Sequence, residues 1–232
     1  MAAPEIAPDL APDLAPGLAN ATLDELRLAL APEIAASAVF DGWTDEALAN
    51  AAGAAGVNPA VARLAFPGGA MDMIAAWTLS VDEAMRAAFA DGRLATIPIR
   101  ERIRSLVWFR LEQVRGNEEA LSRAMAVQAM PQNLAQSLRL GWKSADAMWR
   151  LAGDTATDYN YYTKRAILAG IYGASLAVFV SDETEGKAET RAFLNRRIEE
   201  VMRFEKAKAQ FLAPRDRFDV ARFLGRLRYP SR

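Results

Sequence analysis

The strongest constraint on the fold is a run of fifteen residues, 166–180, that is apolar on every side of a helix. A membrane-spanning helix needs about twenty residues, so we do not expect this run to cross a bilayer. A helix without a polar face is expected at the centre of a domain or in a dimer interface. Gly170, Gly173, Ala174 and Ala177 recur along it at helical spacing. This stripe of small residues either packs closely on another helix or borders a slot for a long apolar ligand.

Composition predicts an all-α protein and argues against catalysis. Of the 232 residues, 52% are hydrophobic, and alanine, the best helix former, dominates that set. The chain has no cysteine and no histidine, which excludes thiolate metal sites, cysteine nucleophiles and Ser-His triads. No pair of carboxylates has a convincing catalytic spacing. We therefore expect a protein that is not an enzyme and holds no metal or cofactor.

Residues 1–20 repeat Ala-Pro-(Asp/Gly)-Leu, with a proline at every fourth position. Such spacing forbids a helix and favours an extended, solvated segment, so we predict a disordered tail. The tail contains acids but no basic residue, unlike a secretory or transit peptide. This pattern predicts a protein that stays in the cytoplasm.

Residues 21–67 contain three short helical patterns. Thr22 and Glu25 form a capping box for the first, whose apolar stripe is predicted to be Leu26, Leu30, Ile34 and Phe40. Thr44 caps a second helix that reaches Ala54, and a turn at 56–59 leads into a third over 60–66. This outline resembles the helix-turn-helix head of the TetR family.

The third helix is poorly suited to DNA. A recognition helix needs polar and basic side chains, but here Arg63 is the single charged residue. Residues 21–70 hold six acids against two arginines, a charge opposite to what duplex DNA attracts. We expect no nucleic-acid partner.

Residues 68–213 are predicted to form a larger helical domain for ligand binding and dimerisation. Its predicted helices cover 70–90, 98–114, 117–130, 131–152 and 184–211. Met125, Val127 and Met130 could line a variable pocket, although we interpret them as core residues.

The last segment, 214–232, carries six arginines against two acids. Over 215–228 four apolar residues fall on one face of a helix and three arginines on the opposite face, although Phe218 spoils the separation. An anionic membrane surface would explain both faces, whereas packing onto the protein body would leave the arginines unexplained. The predicted membrane-docking residues are Val220, Phe223, Leu224, Leu227, Arg215, Arg222 and Arg226.

A junction between two helices lies at residues 146–165. Gly153 can adopt the left-handed conformation that ends a helix, and we predict that a helix stops near Ala152 and another starts at 158 or 159. Tyr159, Tyr161 and Tyr162 cannot all face one core from a single turn, so at least one is expected in solvent or at a lipid or protein boundary.

Residues 153–165, followed by 193–202, are similar to the ubiquinone-biosynthesis accessory family of the ninth Coq type, over about residues 98–206. The resemblance implies a TetR-like fold, a bound lipid, a homodimer, and assistance to the hydroxylase that acts on demethoxyubiquinone. It also implies a partner-binding patch at the junction, formed by Asp146, Met148, Asp158, Tyr161, Tyr162 and Arg165. At position 161 the family commonly has tryptophan, whereas this chain has tyrosine.

These observations lead to one functional hypothesis and one alternative. The first is a non-catalytic lipid-binding accessory protein of ubiquinone biosynthesis, peripheral on the inner face of a bacterial cytoplasmic membrane. Its partners would be a lipid or isoprenoid quinone precursor, the hydroxylase, the anionic membrane and a second copy of the chain. The alternative is a TetR-type repressor that responds to a ligand.

Overall fold

The computed structural model describes residues 18, 20–155, 157 and 159–212, with side chains described up to residue 203. The predicted tail therefore falls almost wholly outside the described residues. Asp158 and the predicted membrane-docking segment 214–232 fall outside them as well.

All regular elements of the described chain are helical, which confirms the predicted all-α class. The helices are α1 (Leu23–Asp41), α2 (Asp45–Ala54), α3 (Pro59–Ala65), α4 (Ala70–Ala88), α5 (Ile99–Gln113), α6 (Glu118–Gln128), α7 (Leu134–Leu151), α8 (Tyr159–Ser181) and α9 (Ala188–Leu212). Short 3-10 turns at Arg93–Thr96, Pro131–Asn133 and Glu185–Lys187 precede α5, α7 and α9.

The first two helices begin where their caps predict. The Thr22 N–H donates to Glu25 Oε2 over 2.7 Å, and the Glu25 N–H donates to Thr22 Oγ1 over 3.3 Å, so the capping box is present. The Thr44 side chain accepts from the Ala47 N–H, and α2 runs from Asp45 to Ala54 as predicted. Local hydrogen-bonding chemistry therefore sets both boundaries.

The predicted apolar stripe of α1 is wrong at its end. Leu26, Leu30 and Ile34 are buried, but Phe40 is 82% exposed. The four-residue spacing continues to Ala38, which is buried, and Phe40 lies about 200° further round the helix. The helix therefore turns Phe40 into solvent.

Helices α1–α3, which we call the head, share a continuous core with the rest of the chain. Trp43 is buried, and its Nε1–H donates to the Ala120 carbonyl of α6 over 2.9 Å. The Trp43 ring centroid lies 5.4 Å from that of Trp77 on α4. Arg123 adds a hydrogen bond to the Phe40 carbonyl over 3.0 Å. These contacts fix the head against α4 and α6.

Helix α8 starts at Tyr159, as predicted, but it is longer than the fifteen-residue apolar run and is not buried on every side. It runs for 23 residues, which among the described helices makes it long and apolar enough on its own to cross a membrane; α3 and α4 would pass the same test only as one span bent by 80°. Length alone therefore does not exclude a span. Moreover, only one face of α8 is buried, through Leu168, Tyr172, Ser175 and Phe179, so the helix is not central in the described chain.

The connection between α8 and α9 is organised by Asp182, which is buried. Its carboxylate accepts hydrogen bonds from the N–H and hydroxyl of Thr184 and of Thr190, at 2.5–2.9 Å. The predicted single helix from 184 is instead interrupted, because Gly186 and Lys187 have φ of 64° and 55°. This break lets α9 start at Ala188.

Candidate functional site

A cavity of about 560 Å³ lies between α4, α5, α6, α7 and α8. Its wall is mostly apolar and includes Trp77, Val81, Leu121, Met125, Leu140, Trp142 and Leu176. Leu134 and Leu138 line it too, and they are 48% and 74% exposed, so they mark its mouth. A cavity of this size and composition suits an apolar ligand.

The predicted stripe on α8 is divided between this cavity and the outer surface. Gly170 and Gly173 line the cavity, whereas Ala174 and Ala177 are not among its lining residues; all four are exposed. A Cβ atom added at either glycine would meet no neighbouring atom within 4 Å. Close packing of these glycines on another helix is therefore absent from the described part of the chain.

The methionine prediction is partly wrong. Met125 lines the cavity and also packs, half-buried, against the core. Val127 is half-buried against the core, and Met130 is exposed near the start of α7. The adaptable side chains therefore lie at the pocket and the surface.

A polar cluster that the sequence analysis missed lies in the cavity wall. Arg110 of α5 is 1% exposed, pairs with Asp82 of α4, and donates from Nη2 to Ser144 Oγ over 3.0 Å. Its guanidinium lies 4.8 Å from the centroid of Tyr172. Burial raises the pKa of Asp82, and Arg110 offsets part of that rise. The sequence did contain one sign that Arg110 is buried, because this residue occupies a position in the apolar stripe of α5.

A second polar cluster joins α7 to α8 at the junction. Arg165 is 1% exposed, and its Nε donates to Asp146 Oδ1 over 2.6 Å while Nη1 donates to Asp154 Oδ2 over 3.0 Å. The same guanidinium lies 3.5 Å from the Tyr161 ring centroid. Lys164 also pairs with Asp154, over 2.7 Å. The cluster fixes the angle at which α8 leaves the turn.

These contacts set the protonation of the two acids. Burial alone would raise the pKa of Asp146, but hydrogen bonds from Arg165 and Arg150 bring it below its usual value. The pKa of Asp154 is lowered in the same way, by Lys164 and Arg165. Both carboxylates are therefore charged at neutral pH.

The predicted partner patch is only partly on the surface. Met148 and Arg165 are buried, so the expectation that they lie exposed is wrong. Both face inward because α7 and α8 pack together there. Asp146 and Tyr161 are half-buried, and Tyr162 is 62% exposed. The exposure of Tyr159 and Tyr162 confirms that the three tyrosines do not share one core.

Three aromatic rings at the junction form a cluster beside the cavity. The Trp142 centroid lies 6.3 Å from that of Tyr161 and 6.0 Å from that of Tyr162, and the two tyrosines are 5.1 Å apart edge to face. Trp142 also lines the cavity. The exposed tyrosine face and the cavity wall therefore meet at one side chain.

Residues 134–205, which span α7, α8 and most of α9, match the model of the COQ9 family. The ubiquinone biosynthesis protein COQ9 of rat mitochondria is 31% identical over 168 residues, covering 69% of this chain and 54% of the rat protein. The resemblance to the COQ9 family is confirmed.

Other COQ9 proteins give similar figures. The human mitochondrial protein is 30% identical over 167 residues, covering 69% of this chain and 52% of its own length. The Schizosaccharomyces pombe protein is 32% identical over 160 residues, covering 68% and 62%. The chain thus spans about half the length of the COQ9 relatives it matches.

The fold is TetR-like. The crystal structure of the TetR transcriptional regulator from Nitrosomonas europaea superposes with a TM-score of 0.60, covering 75% of this chain and 96% of that one at 19% identity. The COQ9-matched helices carry the junction and two walls of the cavity, whereas the head lies outside the match. Within the described ranges, no group of three or more acids could hold a metal ion.

Proposed function

We propose that this protein is a non-catalytic, lipid-binding accessory protein of ubiquinone biosynthesis. It binds isoprenoid quinone precursors or other lipids at a membrane and presents them to the demethoxyubiquinone hydroxylase. The observation that carries the proposal is the apolar cavity of about 560 Å³, with walls that include α7 and α8 of the COQ9-matched region. Burying an apolar chain there would contribute about 25 cal/mol per Å² removed from water.

The first experiment identifies the occupant of the cavity. Lipids extracted from the purified protein are measured by mass spectrometry for the natural chain, for Gly173→Leu and for Ala177→Leu. The leucine at 173 would project into open space that borders the cavity, so we expect less lipid and an unchanged fold. Ala177 lies on the same exposed stripe but does not line the cavity, so it is the matched control once light scattering shows that both variants keep the oligomeric state of the natural chain.

Equal lipid content in all three proteins, with intact helical signal, would contradict the assignment of the cavity. A loss of lipid in both variants would instead point to a general disturbance of α8. The melting temperature of each variant separates these outcomes, because overpacking a tight contact costs about 1–3 kcal/mol.

The hydroxylase is proposed to bind at the exposed part of the junction. Tyr162 is exposed and its ring contacts those of Tyr161 and Trp142, and exposed aromatic residues of this kind are common anchors of interfaces. Tyr162→Ala should weaken binding by about 2 kcal/mol with little loss of stability. Tyr159→Ala is the matched control, since Tyr159 is also exposed and makes no ring contact with that cluster among those described.

Equal binding of the hydroxylase by both variants in a pull-down or calorimetric titration would remove the junction from consideration. Within this proposal, Asp146 and Tyr161 contribute partly exposed contacts, while Arg165 and Met148 support the surface from beneath. Asp158 lies outside the described residues, so its part stays a prediction from the resemblance.

The outer face of α8 is proposed to form the homodimer. Ala174 and Ala177 are exposed on a helix whose other face is packed, and small residues allow two helices to approach closely. Light scattering after gel filtration should give twice the chain mass for the natural protein. Ala174→Glu should give a monomer, whereas a dimer of unchanged stability would exclude this face.

Docking on an anionic membrane is proposed for the arginine-rich segment 214–232. Co-flotation with anionic vesicles should depend on salt and on a Phe223→Glu, Leu224→Glu double variant. Equal flotation of the double variant would place the membrane contact elsewhere. The exposed leucines at 134 and 138 would then be the next surface to test, because they border the mouth of the cavity.

The alternative is a ligand-responsive repressor, which the TetR-like fold favours. Against it, α3 has seven residues, and besides Arg63 it exposes apolar side chains such as Val61 and Leu64. A gel-shift assay on its own promoter at low salt tests this function. A specific shift that is released by extracted lipid would favour the repressor.

A further inference from the structure

The cavity wall contains one donor that its neighbours do not satisfy. Arg110 uses Nη1 for Asp82 and Nη2 for Ser144, but its Nε is buried and has no acceptor among the described residues. A buried donor without a partner costs about 1–3 kcal/mol, so such a group normally meets an acceptor. Arg110 is also one of the few polar residues in a wall that is otherwise apolar.

The position of this donor gives the cavity a direction. Leu134 and Leu138 mark the exposed mouth, whereas Arg110 and Ser144 are each 1% exposed. The Tyr172 ring covers one side of the guanidinium at 4.8 Å. A ligand oxygen that reaches Nε would therefore leave water and lie beside an aromatic ring.

The charge of the cluster limits which oxygen can bind. Asp82 already neutralises Arg110, so a second carboxylate would be buried without a compensating charge. A neutral acceptor, such as a carbonyl, hydroxyl or ether oxygen, meets the donor without that penalty.

We propose that Arg110 is the polar anchor of the cavity. Its Nε donates a hydrogen bond to a neutral oxygen on the head group of an apolar-tailed ligand, and the Asp82–Arg110 pair discriminates against a carboxylate. This inference rests on the proposed lipid-binding function and adds the chemical class of head group to it.

The experiment compares three probes that share a farnesyl tail: a farnesyl benzoquinone with neutral carbonyls, the hydrocarbon farnesene, and farnesoic acid. Each probe displaces the apolar dye N-phenyl-1-naphthylamine from the full-length protein. We expect the quinone to bind about 10-fold to 100-fold more tightly than the hydrocarbon, as one hydrogen bond from a charged donor allows. The acid should bind more weakly than the quinone.

Two variants test the source of that preference. Asp82→Leu with Arg110→Met removes both charges together, which buried pairs often tolerate. It should lower quinone affinity to that of the hydrocarbon and leave hydrocarbon affinity unchanged. Asp82→Asn leaves Arg110 without its counter-charge, so affinity for the acid should rise. Arg115→Met replaces an exposed arginine just beyond α5 and should change no affinity.

A measurement on the natural chain covers the case in which the double variant does not fold. The Nε–H resonance of Arg110, assigned by comparison with Arg110→Lys, should shift when the quinone is added and stay in place with farnesene. If the quinone and the hydrocarbon bind alike and this resonance does not move, the anchor is refuted while lipid binding stands. If the natural chain binds none of the three probes, the proposed function falls with it.

Discussion

Replacing Arg165 by methionine tests whether this arginine stabilises the junction as a buried ion-pair partner or serves as a surface charge for binding. Methionine keeps an unbranched apolar stem but donates no hydrogen bond. The substitution removes the contacts from Arg165 to Asp146, Asp154 and the Tyr161 carbonyl, at 2.6, 3.0 and 3.1 Å. It also removes the guanidinium that lies 3.5 Å from the Tyr161 ring centroid.

The expected loss of stability depends on the ion pairs that Asp146 and Asp154 keep. Breaking a buried ion pair by removing one partner costs about 3–5 kcal/mol. Here Asp154 keeps Lys164 at 2.7 Å and Asp146 keeps Arg150 at 2.7 Å, so neither carboxylate is left alone. We therefore expect the lower end, about 3 kcal/mol. Arg165→Lys should recover only part, because one ammonium cannot reproduce the two-pronged contact.

Arg150→Met is the matched control. Arg150 pairs with the same Asp146, but its side chain is 69% exposed, and water screens such a pair, so its removal should change stability little. Urea unfolding of both variants, followed by far-ultraviolet circular dichroism and by tryptophan fluorescence, gives the free energies of unfolding when the two signals coincide. Arg165→Met should therefore lower the free energy of unfolding clearly more than Arg150→Met does.

Equal and small effects of the two substitutions would refute this reasoning. If Arg165→Met had the same free energy of unfolding as the natural chain but no longer bound the hydroxylase, Arg165 would contact the hydroxylase directly. The prediction of an exposed patch would then be right for that side chain.

Three further outcomes are expected. Burial alone would raise the pKa of Asp182, but hydrogen bonds from two threonines lower it well below its usual range. The Asp182 carboxylate therefore stabilises the fold fully above the pKa of an unfolded aspartate, about 4, and this contribution fades as the pH falls below that value. Asp182→Asn should lower the free energy of unfolding by about 2 kcal/mol at neutral pH, and unfolding titrations in acid should show a smaller loss. Phe40→Lys should change the free energy of unfolding by less than about 0.5 kcal/mol in urea, against about 3 kcal/mol for Ile34→Ala. Gly153→Ala should lower the melting temperature, because Gly153 has φ of 88° and its Cβ would lie 3.2 Å from a neighbouring arginine, whereas Gly141→Ala within α7 should raise it.

Local chemistry in the sequence was enough to predict most helix ends. Thr22, Thr44 and Gly153 act through hydrogen bonds or backbone angles within a few residues, so their effects do not depend on the rest of the fold. Apolar periodicity gave a wrong prediction at the end of α1. Phe40 follows the apolar residues of α1 in the chain but points away from them.

The site depends on contacts that sequence spacing cannot show. Asp82 and Arg110 lie on separate helices, 28 positions apart, and only the packing of α4 on α5 brings them together. The family resemblance placed Arg165 in a surface patch, yet two acids from α7 and the turn enclose it. In each case a buried charge is balanced by a partner that is distant in the chain.

Trp77 connects the head to the cavity through a packing contact. The Trp77 side chain lines the cavity and packs against Trp43, so the inner surface of the head supports the cavity wall. Leu64 on the outward side of α3 is exposed, so replacing it should leave the contact between Trp43 and Trp77 intact. Removing the head would expose that wall to water, so the head has a structural role whatever its outer surface binds.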